Sequence, residues 1–533
     1  MFPTPIGPVG NQHGYLRPET AQGIFLNFKF CLEQNAGQMP FGVAQVGKAF
    51  RNEIAPRAGL IRQREFTQAE IEFFCRPGDK PHPKFAGCAH LMVALHPSKE
   101  QLAGEGTVMM SLGDAVSKKM IANETLGYFI ARTYLFLIRA GCKADHIRFR
   151  QHLPDEMAHY AVDCWDAEIE MSLGWVECVG IADRSAYDLT CHGKATNTAL
   201  TASAPLDKPI TVETYQLTKK ALAAIGKEFK KDAKTVTAYL SELDEAGLKA
   251  LEASAKADGE AKITIDGAKF SIDAALIACE TKTETQHVEV FVPNVVEPSF
   301  GIDRILAAIY EHSFFAREDD KEVAPAAPKE EGGKKKKEKK EEKGPVAGVL
   351  GFPAEIAPYK VVVLPLDMRV AAQYVDMLTE LRTKLTDNGL QYKVDESGAS
   401  IGRRYARADE LGIPYAVTID FDTIGIGEVA TPAELLGTAT LRDRDSTDQV
   451  RLPIAAIPEV LNKLCTAHPL SFGDLKAAYA TPEAAAASKS VPDGMVEYLN
   501  AHGVTAKLNA AVNKLAVEKP ADPMAWLVAE LSK

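Results

Sequence analysis

The chain has 533 residues, 46% hydrophobic and 25% charged, which fits a globular protein long enough for two to four domains. No apolar run approaches the ~18–20 residues of a bilayer span, and Met1-Phe2-Pro3-Thr4-Pro5 lacks the charged-then-apolar order of a secretory signal. A net charge of −11 argues against unspecific nucleic-acid binding by the whole surface, and the nine cysteines include no Cys-x-x-Cys pair for zinc or redox work.

In chain order, the first stretch with chemical content is Phe50-Arg51-Asn52-Glu53, a loop with Pro56 and Gly59, and then Arg62-Gln63-Arg64-Glu65-Phe66-Thr67-Gln68-Ala69-Glu70. As strand, loop and strand, a period of two puts Arg51 and Glu53 on one face of the first strand. It puts Arg62, Arg64, Phe66, Gln68 and Glu70 on one face of the second. A solvated face laced with salt bridges has the same pattern. Chemistry tips the balance: a nucleotide needs cations for its phosphates, a flat ring for its base and an acceptor for an exocyclic amine, and one hairpin offers all three.

Glu177 stands in the apolar alternation Trp175, Val179, Ile181, so its carboxylate is expected in a partly dry site, with either Arg184 or a metal ion as its counter-charge. From about 193 to 286 the character changes. Charged helical stretches, Lys227 to Leu243 and Glu245 to Lys256, lead to Lys262 through Phe270, where Asp266-Gly267 signals a hairpin. This region is expected to be an inserted subdomain.

Residues 316–352 are rich in mixed charge, including Lys334-Lys335-Lys336-Lys337, and cannot bury enough surface to offset ordering entropy, which predicts a disordered linker. Beyond it, Lys360-Val361-Val362-Val363-Leu364 reads as a buried strand, followed by alternating helices and strands. An Ala-rich tether at 478–490 precedes a helical unit at 491–533, with an apolar stripe of Leu508, Val512 and Leu515, a break at Pro520, and Pro523 in the first turn of a second helix.

Phe50 to Glu53 with Arg62 to Phe66 resembles motif 2 of class II aminoacyl-tRNA synthetases. Gly301-Ile302-Asp303-Arg304, opening the apolar helix Ile305 to Tyr310, resembles their motif 3. Tyr15-Leu16-Arg17-Pro18-Glu19-Thr20-Ala21-Gln22-Gly23, the segment Trp175 to Arg184, and Val296-Glu297-Pro298-Ser299-Phe300-Gly301 are similar to the eukaryotic-type glycyl-tRNA synthetases in particular. No class I signature of the His-x-Gly-His or Lys-Met-Ser-Lys-Ser kind is present. The resemblance implies an α/β (α+β) fold with an antiparallel-sheet catalytic domain at 1–315, an α/β anticodon-binding domain at 357–467 and a small C-terminal helical module. That module resembles the Dpy-30 or protein-kinase-A regulatory-subunit docking motif, implying dimerisation and an amphipathic-helix partner. A helical hairpin packed on the main body is the alternative.

The resemblance also implies roles. Arg51 and Arg304 are the catalytic cations; Arg51, Asn52, Glu53, Arg62, Gln63, Phe66, Glu177, Cys178 and Arg304 hold ATP, with Phe66 stacking on adenine and Arg304 over its other face. Glu177 takes Mg²⁺. Glu19, Glu70, Glu297, Pro298 and Ser299 receive glycine, the carboxylates gripping its ammonium and repelling one another until a cation enters. In the segment that resembles the anticodon-binding domain, Arg403, Arg404, Arg407 and Arg442, with Arg444, are available to meet phosphates or splayed bases of tRNA(Gly), and Tyr405 to stack; the alternative reading is charge pairing with Asp409, Glu410, Asp443 and Asp445, which are near in sequence. The expected function is a homodimeric, cytoplasmic glycine-tRNA ligase, with a mitochondrial form left open; the rival is a catalytically silent scaffold docking partners through its C-terminal helices. The family's motif 1 lies upstream of the segment with which this chain begins, so a fragment or truncated product is expected.

Overall fold

The computed structural model describes residues 1–78, 80–265, 267–317, 348–367, 371–426, 431–466 and 470–479. The expected linker apart from its ends, the tether beyond 479 and the helical unit at 491–533 lie outside the described residues. Two compact units are present, one of Met1–Leu137 with Ala144–Ala307, the other of Ile138–Lys143 with the chain from Ala308 on. No described helix is long and apolar enough to cross a membrane.

In the N-terminal unit, β1 (Phe2–Ile6) and β2 (Gln12–Leu16) form a small hairpin. Then come β3 (Phe41–Phe50), β4 (Glu65–Cys75), β5 (Met92–His96), β6 (Val108–Ser111), β7 (Ile147–Gln151), β8 (Asp163–Met171) and β9 (Gly174–Ser185). After β10 (Ala202–Leu217), β11 (Glu260–Ile265), β12 (Ala268–Asp273) and β13 (Cys279–Phe291), the chain returns to the main sheet as β14 (Asn294–Gly301). That sheet runs β3-β4-β14-β9-β8-β7-β5-β6. It is antiparallel, as expected, except for the parallel β5 and β7, whose long connection includes the helix Glu124–Arg139 and permits a crossover. This helix buries Leu126, Phe129, Ile130, Thr133 and Leu137 at helical spacing and sets Phe129 edge-on to Phe73 of β4.

β4 and β14 position the site. On one face of β4, Phe74 packs with Phe28 and Phe41 in an apolar core, and the same face continues through Glu72, Glu70 and Gln68 to Phe66. The face thus passes from a dry aromatic end to a polar one along a single strand.

β10 and β13 make a two-stranded ribbon carrying three helices and the β11–β12 hairpin around a separate core of Leu217, Ile225, Val236, Leu240, Leu248 and Ile263. The helix expected over Lys227 to Leu243 is instead broken. Lys230 takes φ +44, which ends the helix Lys219–Phe229, and a short turn at Lys230–Asp232 leads into Ala233–Glu242.

The C-terminal unit pairs β15 (Phe314–Phe315) with β16 (Val349–Leu350) and builds a five-stranded sheet from β17 (Val361–Pro365), β18 (Tyr392–Val394), β19 (Tyr415–Ile419), β20 (Thr438–Asp443) and β21 (Gln449–Pro453). The order is β18-β17-β19-β20-β21, parallel across the first three and antiparallel beyond. Every residue of β17 is buried: Val361 and Val363 enter one core, Val362 and Leu364 the other, so both sheet faces are covered.

Candidate active site

A cavity of about 270 Å³ opens over β4, β9 and β14. Its outer end is built by the loop between β3 and β4. Ala58 and Gly59 take φ +58 and +57, successive left-handed residues that turn the chain back so that Arg57 bridges Arg62. The Arg51 amide donates to Arg64 O at 3.0 Å, continuing the hairpin, and the Arg51 guanidinium lies 5.5 Å from the centre of the Phe66 ring. Arg304, in the first turn of the helix Ile302–Ser313, donates to Ile61 O at 3.0 Å and Glu177 O at 2.7 Å. Asp303 beside it accepts from the Thr67 amide at 2.7 Å, tying motif 3 to β4. Gln63 Nε2 and Gln68 Oε1 are buried on this wall without a partner among the described residues, leaving a donor and an acceptor unused.

The inner end is acidic and nearly dry. Glu70, 1% exposed, accepts from the Thr20 amide, the Thr20 hydroxyl and the Ala21 amide at 2.6, 2.5 and 2.8 Å through Oε2, and from Ser299 Oγ at 2.9 Å through Oε1. Glu297, 5% exposed, is paired with Arg184, which also donates twice to Asp188 at 2.7 and 3.0 Å and approaches Glu19 at 3.9 Å. Tyr160 lies under the same guanidinium at 4.3 Å. Burial pushes the Glu297 carboxyl up to about 7 against the pull of Arg184, with Glu70 adding to the rise. Burial works to lower the Arg184 guanidinium, but Glu297 and Asp188 outweigh it, so Arg184 stays charged. This corrects the expectation of an uncompensated trio of glutamates: a fixed guanidinium sits among them, and Glu70 is bonded to its own fold.

Glu177 stands at the cavity rim, with 54% of its side-chain surface open to solvent but protein packed closely enough around it to raise its carboxyl, and its salt bridge among the described residues is a long one, 3.7 Å to Arg304 rather than to Arg184. The cause is a bulge: Glu168 pairs with Glu177 and Ala167 with Val179, leaving Cys178 extra, and the phase of the alternation changes there. Both Glu177 and Cys178 consequently line the cavity. Burial and Asp166 raise the Glu177 carboxyl, while Arg304 and Arg51 oppose them.

Of the residues expected in the site, Arg51, Glu53, Arg62, Gln63, Phe66, Glu177, Cys178, Arg304, Glu19, Glu70, Glu297 and Ser299 line this one cavity. Asn52 and Pro298 do not: Asn52 is exposed beyond the end of β3, and Pro298 is buried within β14. Arg64 also leaves the predicted face, because β4 starts only at Glu65; its guanidinium donates to Glu53 O at 2.9 Å and braces the loop. The cavity adds His152, Tyr160, Asp166 and Arg184, brought in from elsewhere in the chain. Glu72, beneath Glu70, was within reach of the sequence by continuing Phe66, Gln68, Glu70 one more step.

Among the described residues, two side-chain groups have ligand atoms close enough for a metal: Glu70 with Glu72 and Glu297, and His152 with Cys164 and Asp166. The first already holds Arg184. In the second, Asp166 Oδ2 engages His152 at 2.9 Å and Arg150 at 3.2 Å, and burial pushes the Cys164 thiol far up, which disfavours the ligating thiolate. The accessible Glu177 carboxylate is better suited to a hydrated ion.

In the C-terminal unit, the arginines expected to meet RNA divide. Arg403 is exposed, and Arg407 is half-exposed beside Asp395 at 3.3 Å. Arg404 is instead buried on the inner face of the helix Ile401–Glu410, donating to Pro365 O at 2.6 Å and Leu366 O at 3.0 Å. Arg442 is buried in a forked pair with Asp409 at 3.1 and 3.2 Å and lies over Tyr405, whose hydroxyl is held by Thr418 at 2.5 Å. Arg444 is buried against Gly412 O and Phe352 O at 3.0 and 2.8 Å. Hydrogen bonds within the unit engage these three guanidiniums, and the Tyr405 ring is stacked by Arg442.

Two family models match the chain: the class II core domain of tRNA synthetases (G, H, P, S and T) over 10–98 and an anticodon binding domain over 360–464. With the antiparallel sheet and the motif 2 and motif 3 residues around one cavity, they define the class as that of the class II aminoacyl-tRNA synthetases. The chain is 45% identical over 468 residues to glycine-tRNA ligase of Drosophila melanogaster, covering 88% of this chain and 56% of that one. It is 45% identical over 456 residues to the mitochondrial glycine-tRNA ligase 1 of Saccharomyces cerevisiae, covering 85% and 60%. Against glycine-tRNA ligase of Methanocaldococcus jannaschii it is 40% identical over 473 residues, covering 87% and 74%. The chain belongs to the glycine-tRNA ligase family, and it spans little more than half the length of the fly relative.

Proposed function

We propose that the chain activates glycine with ATP, giving glycyl-adenylate and pyrophosphate, and then transfers glycine to the 3′ end of tRNA(Gly). One observation carries this reading: a single cavity joins an arginine-lined end with the Phe66 ring to a buried, carboxylate-lined end. Arg51 holds the α-phosphate and the substrate carboxylate, Arg62 the γ-phosphate, Phe66 and Arg304 the two faces of adenine, and Glu53 the adenine amine. Glu19, Glu70 and Glu297, with Ser299, receive the ammonium; Arg184 fixes Glu297.

No general base is needed, because the glycine carboxylate is already an ionised nucleophile. In-line attack on the α-phosphorus depends on positioning and on neutralising developing charge, which Arg51 and Arg304 supply from fixed places. The exposed Glu177 carboxylate fits Mg²⁺, which when bound would supply further neutralisation of the triphosphate. Alanine is excluded by size, worth ~1–3 kcal/mol per methyl-sized group. On this reading 1–315 is the catalytic domain with an insertion at about 193–286, 316–352 a linker, 357–467 the anticodon-binding domain, 478–490 a tether and 491–533 a docking module. The working form is a homodimer in the cytoplasm or mitochondrion.

Glycine-dependent exchange of pyrophosphate into ATP tests the proposal, with alanine and serine as competitors. Exchange with glycine alone is expected. A folded preparation that gives none, or that prefers serine, overturns it.

A further inference from the structure

Below the inner end of the cavity lies a carboxyl that the chemistry above leaves unused. Glu72 follows Glu70 by two residues on β4 and projects from the same face. It is fully buried, and neither carboxyl oxygen has a hydrogen-bond partner among the described residues. Oxygens of Glu70, Glu72 and Glu297 lie within 4.8 Å of one another. The charged groups facing Glu72 are Glu297 on β14, Arg184 on β9, Asp188 on the helix Tyr187–Thr196 and Glu70 on its own strand; its partner across β3 is the uncharged Val43.

The charges here do not balance if every acid is ionised. Arg184 is the cation of the group, and its donors are engaged by Asp188 and Glu297. Glu70 is satisfied by Thr20, Ala21 and Ser299. A metal would have to displace these bonds, whereas a proton on Glu72 displaces none. An ionised Glu72, unpaired in this position, would cost several kcal/mol on the order of a bare buried charge.

We propose that Glu72 is held as a neutral carboxylic acid beneath the cavity and positions the substrate ammonium by giving up its proton when that cation enters. The proposal rests on the glycine reading above. An ammonium beside Glu70 and Glu297 adds one positive charge, which weakens the hold on the Glu72 proton. The O–H bond breaks, the electron pair stays on the carboxylate, and the proton leaves through the cavity to solvent. One positive charge then replaces another in the tier, and the amino-acid affinity becomes linked to pH. Burial, and after it Glu297, push the Glu72 carboxyl well up, while Arg184 pulls the other way, in the direction this requires.

The test uses the full chain and Glu72→Gln. Infrared spectra at pH 9, above the range in which Glu297 holds a proton, should show the carbonyl stretch of a protonated carboxylic acid in the native protein, absent from E72Q and weakened when glycine is added. In pyrophosphate exchange, the KM for glycine should fall severalfold with rising pH in the native protein and fall less steeply in E72Q, where Glu297 is left to titrate, with kcat moving less. Glu72→Leu should raise KM throughout the pH range, with partial recovery in E72Q. Superimposable native and E72Q spectra, or identical KM profiles, overturn the proposal. Should E72Q not fold, a pH titration of the native protein carrying ¹³C-labelled glutamate reads the same band. A chain without exchange activity removes the proposed function, while the infrared comparison still decides the state of Glu72.

Discussion

The arginines of the two units are put to opposite uses. Arg51 and Arg62 are exposed on the wall of the N-terminal cavity. Arg404, Arg442 and Arg444 of the C-terminal unit are 2%, 7% and 2% exposed, and carbonyls and carboxylates of the same unit take most of their donors, Arg404 Nε having no partner among the described residues. A guanidinium is a strut where the fold satisfies its donors and a ligand-binding group where a cavity faces it. Residue type does not separate the two uses.

Removing a strut should cost the most. Arg442→Ala removes the forked partner of Asp409 but leaves it Arg317 at 2.9 Å, and chemical denaturation should show a loss of about 1.5–3 kcal/mol. A loss under about 0.5 kcal/mol, the usual range for a surface change, would erase the distinction. Arg51→Ala should do the reverse: exchange falls by roughly 10²- to 10³-fold, while the thermal transition stays in place.

The acidic end sharpens the contrast through pH. The Glu297 carboxyl is pushed up to about 7 by burial, with Arg184 opposing and Glu70 adding, so the folded chain keeps a proton that the unfolded chain has lost above its ordinary range. Stability contributed by this group is complete at low pH and is lost as pH rises toward about 7, by about 1–3 kcal/mol. Urea unfolding at either end of that window should show the loss, and Glu297→Gln should reduce it; an unchanged slope would acquit Glu297. The smallest effect belongs to Arg407, whose exposed pair with Asp395 is worth ~0.2–1 kcal/mol at most. Arg407→Ala should leave stability nearly untouched and, if the guanidinium meets an RNA phosphate, reduce the salt dependence of tRNA binding by about one ion.

What the sequence could reveal follows from how local each signal is. Phe66, Gln68 and Glu70 share a face because they lie within β4, where a period of two holds. The same rule failed at Arg64, which precedes the strand, and at Glu177, where an extra residue shifts the phase. The buried strand at Val361 to Leu364 was readable from its unbroken apolar run. Arg184 as the hub of the acidic end was not readable, since its partners Glu19, Asp188 and Glu297 reach it from three separate segments. For Arg442 the sequence left RNA contact and pairing with Asp409 both open, because that aspartate lies 33 residues away on another element.

Glu70 belongs to both worlds. Its carboxylate holds the backbone at Thr20 and Ala21, where the helix Ala21–Leu26 begins, and it also lines the proposed ammonium pocket. Any drift toward a different amino acid at this position would release the start of that helix along with the old preference. One carboxylate thus ties the start of a helix to the wall of the proposed pocket, so neither can be altered alone.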